Sequence, residues 1–379
     1  MESTKKLFKT VDEEIESFNV IYDYRTGRWE GDDYFNDSDG YGYINGEKYQ
    51  IWFTIYFFDN DDDQIPFWTE INILETNPYS DDTNLDPDND GIPTRWEWKW
   101  GYDPNVWDNH SYLDPDKDGI ENIEEYQMRK WLSNPYKQDI YIEADFMEKG
   151  SWYEVEHVLW KESQWMVMDK YAEHGITLHI DDGWPGDPTN GGGEYLPYSS
   201  NTISFKDGIA SEFYKYHFSD ERKGIFRYLF IQSGKIGWNS PTGLDYHPDT
   251  ITLPSNRQWY FKNMYLPAIT PKLMRLSQAV GLLHEMGHSL GINMRVIAGC
   301  DNYSQVGRNN LPPLQKLKAR IDSIKYWETY ESVMNYNKFG KYVLDYSDGT
   351  HGIHDFDDWG YIDLAYFQKQ PDYVFGFED

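Results

Sequence analysis

The sequence predicts a multi-domain chain of the α+β and α/β classes. It would comprise a small β-rich domain over residues 1–80, tandem cation-binding loops over 81–137, and an α/β domain over 138–379. Three observations predict it. Aromatic and β-branched runs crowd the first part, two acidic loops repeat in the middle, and strand and helix patterns then alternate up to a long amphipathic helix. A length of 379 residues also exceeds what one small core accommodates.

In the first part, Phe18–Tyr22 and Tyr49–Phe57 read as strands, with a turn-rich acidic stretch from Gly31 to Gly46 between them. In the middle part, Asp86, Asp88, Asp90 and Glu97 fit the pattern D-x-D-x-D-G-x5-E, and Asp114, Asp116, Asp118 and Glu125 fit it again. Three short carboxylates at alternate positions converge on one hard cation. Glycine at the sixth position permits the sharp turn, and glutamate at the twelfth closes the shell from the start of a helix. Ca2+ is the cation this donor set suits. Helices are expected over Arg95–Trp100 and Asn122–Trp131. In the last part, Asp139–Phe146, Ile176–Asp181 and Gly224–Ile231 read as strands and Trp152–His174 as a helix. A glycine-rich loop, Gly183–Gly193, carries no phosphate-binding or dinucleotide fingerprint, which disfavours an oxidoreductase. A helix begun by Pro271 covers Thr270–Leu290.

Composition narrows the partners. A net charge of −31 repels nucleic acid and anionic membrane surfaces. No apolar run is long enough to insert into a bilayer. Met1–Thr10 is polar and does not read as a signal peptide. The single cysteine, Cys300, cannot form an intramolecular disulfide. Calcium loops that fill at millimolar concentrations favour a secreted or cell-surface setting, with the cytoplasm as the alternative. The acidic runs Asp59–Asp63 and Asp355–Asp358 read as solvated or calcium-associated surface.

The 270–290 helix contains His284-Glu285-Met286-Gly287-His288, an H-E-x-x-H motif. His284 and His288 lie one turn apart on one face and can share a Zn2+ ion, and Glu285 can reach a water held there. Gly291 follows at a point where the chain must leave the helix, and Ser332-Val333-Met334-Asn335-Tyr336 stands further on.

These motifs resemble the metzincin clan of zinc metallopeptidases, and Gly175–Asp181 resembles its pappalysin-like and archaeal-type members. The resemblance covers roughly residues 139–366. It implies a zincin domain with a twisted mixed sheet and an active-site helix. It also implies a methionine turn with Met334 as a floor beneath the metal, and Tyr336 as a catalytic helper. The two acidic loops resemble thrombospondin type 3 and dockerin-like repeats, which implies a structural calcium role. The implied function is a zinc-dependent, calcium-stabilised endopeptidase acting on peptide or protein substrates, with Glu285 activating the attacking water. In the family pattern a third ligand stands three residues after the glycine, but here Met294 does, and a thioether is a poor zinc ligand. Asp301 or Cys300 could replace it, or Glu328 or Glu331 from further on. Failing these, the domain would be inactive and the chain a calcium-stabilised surface or binding protein. His351 and His354 read as loop residues outside the zinc shell.

Overall fold

The computed structural model describes residues 18–33, 42–45, 50–55, 58–150, 152, 156–183, 192–198, 209–232, 243–244, 250–254, 270–302, 312–339 and 341–369. The chain divides into two compact units, 1–139 and 140–379.

The first unit opens with two antiparallel hairpins. Strand β1 (Val20–Asp23) pairs with β2 (Arg28–Gly31), and β3 (Gly42–Asn45) pairs with β4 (Gln50–Phe53). Phe18, Val20 and Trp29 form their buried core, covered by Tyr22, Ile44, Ile51, Phe53 and Ile55. The expected strands are shorter than their apolar runs. Two more strands lie at the edges of the stretch read as turn, because pairing rather than composition makes a four-residue strand. Gly31 ends β2 at φ +129°, where a β-carbon would lie 2.3 Å from the Asn19 carbonyl oxygen.

Three short helical segments follow. The α1 turn (Phe67–Thr69) runs into a π turn over Glu70–Leu74, and α2 covers Thr94–Trp100. The α3 helix (Asn122–Met128) tightens into a 3-10 turn over Arg129–Trp131, where one longer helix was expected. Leu132, left-handed at φ +64°, ends it. Ile92, Trp96 and Trp100 form the core beneath these segments, with Tyr102, Ile123 and Tyr126 against it. Arg28 joins hairpin to helix: its guanidinium lies 4.4 Å over the Trp100 ring and donates to the Lys99 carbonyl.

The second unit is mixed α/β. Its six-stranded sheet runs β6-β5-β8-β10-β9, with β7 paired to β5. These strands are β5 (Asp139–Met147), β6 (Thr177–Asp181), β7 (Tyr195–Leu196), β8 (Phe226–Gln232), β9 (Gly243–Leu244) and β10 (Thr250–Pro254). Strands β7, β5, β8 and β10 pair parallel where they meet, and β9 pairs antiparallel to β10. All described side chains of β5 and β8 are buried, as a sheet with both faces covered requires. The helices are α4 (Lys161–Ala172), α5 (Ile209–Tyr216), α6 (Thr270–Ser289), α7 (Pro313–Tyr326) and α8 (Tyr336–Phe339).

The sequence placed the start of α4 near Trp152. Instead, Trp160 is extended (φ −63°, ψ 136°) and the helix begins after it. The preceding residues are held by side-chain amides: Gln278 of α6 donates to the Val158 carbonyl, and Gln164 to that of Leu159. Ser163 Oγ donates to the Arg275 carbonyl, which fixes α4 against α6. Residues 184–191 of the glycine-rich loop lie outside the described part. Among the described residues, no helix is long and apolar enough to cross a membrane.

Candidate metal centre

Helix α6 carries His284, Glu285 and His288 on its buried final turns. Gly291, at φ +96°, ends the helix, and the Ile292 N–H reaches back to the Gly287 carbonyl at 2.9 Å. That reversal exposes the Ile292 carbonyl, which lies 2.7 Å from His288 Nδ1. The Val333 carbonyl lies 2.9 Å from His284 Nδ1. A carbonyl only accepts, so each Nδ1 carries the hydrogen and each Nε2 is left with its lone pair.

Both Nε2 atoms face one carboxylate. Asp301 Oδ1 is 3.2 Å from His284 Nε2, and Oδ2 is 3.4 Å from His288 Nε2. One donor atom from each of the three residues falls within a 4.8 Å cluster. Two imidazole lone pairs and a carboxylate repel unless a cation stands among them. Burial opposes ionising Asp301, yet the imidazoles and the Tyr336 hydroxyl outweigh it and hold the carboxyl down to about 2. Burial likewise opposes charging His284, but Asp301 and Glu285 raise its pKa.

Asp301 reaches this place through two successive turns after Gly291, closed by Ile297 N–H to Asn293 O and by Cys300 N–H to Ile297 O. Its backbone is left-handed at φ +50°, a region aspartate tolerates, and its N–H donates to the Met334 carbonyl at 3.1 Å. Ser332–Asn335 forms a tight turn, closed by Asn335 N–H to Ser332 O at 3.1 Å and by Met334 N–H to Ser332 Oγ at 3.0 Å. Met334 is fully buried, with its sulfur against Gly287 of the helix. The Tyr336 ring stacks on His284 with centroids 5.1 Å apart, and burial followed by the Asp301 charge raises its hydroxyl pKa. Glu285 is buried between the two histidines in sequence, and its charge acts on His284, Tyr336 and Cys300.

The other candidates sit differently. Cys300 is fully buried and adjoins Asp301, and burial pushes its thiol well above the ordinary range. Glu328 is exposed, and Glu331 is taken by the Lys338 ammonium. His351 pairs with Asp355 at 2.8 Å, and His354 stacks on Tyr326 at 3.8 Å.

The two acidic loops share one framework. Asp86 Oδ1 accepts the Asn89 N–H and Oδ2 that of Gly91, and Asp114 does the same for Lys117 and Gly119. Gly91 and Gly119 have φ of +100° and +94°, which their position demands. Glu97 and Glu125 are fully buried, and their carboxylate oxygens have no well-formed hydrogen bond, Glu97 Oε1 meeting only His110 Nε2 at 3.8 Å. Asp88 Oδ2 and Asp116 Oδ2 are in the same state. Leaving buried carboxylate oxygens unsatisfied is costly, and an oxygen-coordinated cation such as Ca2+ relieves that cost. Burial first, then its acidic neighbours, drive the Asp116 carboxyl up to about 7 and that of Asp118 to about 9.

Sequence reasoning missed three residues here. Asp108 and Asp139 give their backbone N–H groups to Asp90 and Asp118. His110 is buried with Nε2 3.0 Å from Asp90 Oδ2, and the Asn122 amide stands 2.9 Å from its Nδ1. All three lie 18 or more residues from the aspartates they meet, so local spacing carries no signal of them.

No family model, curated protein or solved structure matches this chain.

Proposed function

We propose that the chain is a zinc-dependent, calcium-stabilised endopeptidase whose second unit is a metzincin-like zincin domain. One observation carries the reading: His284 and His288 have their Nδ1 atoms tied to backbone carbonyls and turn both Nε2 atoms to the Asp301 carboxylate. Metal-binding histidines are oriented by such outer hydrogen bonds.

His284, His288 and Asp301 would hold the ion, and Asp301 supplies the ligand that Met294 cannot. Zinc, when bound there, acts as a Lewis acid that lowers the pKa of a water and polarises a peptide carbonyl. Glu285, one residue after the first ligand, is placed to accept a proton from water and return it to the leaving amine. The Tyr336 hydroxyl, hydrogen-bonded to Asp301, would turn to a substrate carbonyl oxygen once an ion takes that carboxylate. Met334 packs against the helix at Gly287 and would form a floor rather than a ligand. Peptide is the substrate class that the resemblance to the metzincin clan implies. The two calcium loops support a secreted or surface setting, where calcium is abundant.

Zinc counted by elemental analysis on the undialysed and reconstituted protein tests this. One zinc per chain is expected, lost in Asp301→Ala and retained in Cys300→Ala. Glu285→Gln should keep the zinc and lose roughly 10²-fold or more of peptide hydrolysis. A wild-type chain that takes up no zinc even on reconstitution would overturn the proposal in favour of a calcium-stabilised binding protein.

A further inference from the structure

The stretch 59–70 repeats five hydrogen bonds of the framework shared by the two acidic loops, and differs in one: Asp90 and Asp118 give their N–H to Asp88 and Asp116, whereas here Asp61 gives its N–H to Asp59. Asp59 Oδ1 accepts the Asp62 N–H at 2.9 Å, as Asp86 accepts Asn89 at 2.8 Å and Asp114 accepts Lys117 at 2.7 Å. Asp59 Oδ2 accepts the Gln64 N–H at 2.9 Å, where the other loops use Gly91 and Gly119 at 3.1 Å. Asp63 Oδ1 accepts the Ile65 N–H at 2.7 Å, matching Ile92 on Asp90 and Ile120 on Asp118. The Phe67 N–H donates to the Phe58 carbonyl, as Thr94 donates to Leu85 and Asn122 to Leu113. In each loop the fifth-position aspartate accepts, on Oδ2, the N–H of a later aspartate: Asp82 on Asp63, Asp108 on Asp90, Asp139 on Asp118.

Register alone does not make a site, but Glu70 adds an independent observation. It stands twelfth in the loop, where Glu97 and Glu125 stand in theirs. It is fully buried, and its Oε2 has no hydrogen-bond partner, while Oε1 receives only a long bond from Thr76 at 3.4 Å. Carboxylate oxygens of Glu70, Asp63 and Asp82 lie within 4.8 Å of one another, as do those of Asp59, Asp61 and Asp63. A buried glutamate turned into a cluster of four aspartates is costly as a carboxylate, and a cation among them offsets that cost. The donors are all oxygen, which selects a hard divalent ion of calcium's size over zinc.

We infer that residues 59–82 form a third calcium site, held by Asp59, Asp61, Asp63, Glu70 and Asp82, so that the first unit carries three tandem loops rather than two. The departure from the motif explains why spacing did not reveal it: Gln64 occupies the glycine position at φ +66°. Non-glycine residues rarely adopt that conformation, and the hydrogen bond from the Gln64 N–H to Asp59 Oδ2 holds it there.

This inference rests on the calcium reading of the two motif-matching loops, and one experiment separates the two. The full chain is stripped with a chelator, equilibrated with buffered millimolar calcium, and its calcium counted by elemental analysis. Three ions per chain are expected in the wild type. Two are expected in Glu70→Gln and in Asp61→Asn, the latter altering a half-buried side chain that a folded protein tolerates. Glu97→Gln and Glu125→Gln should each lose one as well. A wild-type count of two, unchanged in Glu70→Gln and Asp61→Asn but reduced in Glu97→Gln and Glu125→Gln, would overturn the third site alone. A count of zero would overturn all three.

Discussion

A β-carbon at Gly287 would lie 2.5 Å from the Met334 sulfur and 3.0 Å from a Tyr346 ring carbon, both buried. The glycine inside H-E-x-G-H is thus a matter of clearance, letting the methionine turn approach the helix between the two histidines. Gly287→Ala should destabilise the chain by about 1–3 kcal/mol, the usual cost of overpacking. Zinc affinity should fall with it, because the Val333 carbonyl that orients His284 belongs to the same turn. Thermal melting with zinc titration checks both, and an unchanged melting temperature would show that Met334 moves aside freely. The helical residues of the site were legible because their spacing is local. Asp301 was legible only as one of two neighbours, since nothing in a sequence says which of Cys300 and Asp301 turns inward. The Met334 carbonyl, which takes the Asp301 N–H, makes that choice.

Among the elements, β5 and β8, and in part β1 and β4, were readable from apolar runs, whereas β2 and β3 were not, because cross-strand partners define them. Polar residues on the readable strands still bind the sheet to its surroundings. Arg222, just before β8, gives one arm to Glu143 of β5 and the other to Asp181 of β6 at 2.6 Å, with all three buried. Burial, only partly offset by Arg222, pushes the Glu143 carboxyl up to about 7. Arg222→Met would strand two carboxylates and should cost roughly 3–5 kcal/mol. Chemical denaturation would read this directly, and restoration by a further Glu143→Gln and Asp181→Asn would attribute it to the charges. Arg227 of β8 ties the end of the metal helix in the same manner, donating to Ser289 Oγ at 3.0 Å and to the Leu364 carbonyl at 2.8 Å.

Over the whole molecule, a net charge of −31 has a structural location. Much of it is gathered in loops where carboxylates face one another inside the first unit, so the folded chain without cations works against its own repulsion. Removing calcium should therefore lower the melting temperature and make it depend on free calcium concentration. Each site filled at a hundred times its dissociation constant contributes about 2.7 kcal/mol. Scanning calorimetry across a calcium series checks this, and a melting temperature indifferent to chelator would sink the stabilising role. The sequence made this arrangement partly visible: two loops matched their motif fully, and the third was hidden by one glutamine. The aspartates that close each loop could not be read at all, since folding rather than spacing delivers them.

The two carbonyls of the Val333–Met334 turn engage different members of the candidate centre, one holding His284 and the other the backbone of Asp301. This sets an order in time. A chain made from its N-terminus completes the acidic loops long before residue 333 is added. Until then His284 has no carbonyl to fix its tautomer and Asp301, the third candidate ligand, has no anchor. Metal capture at this candidate centre would consequently be a late event in synthesis, after the acidic loops of the first unit are already in place.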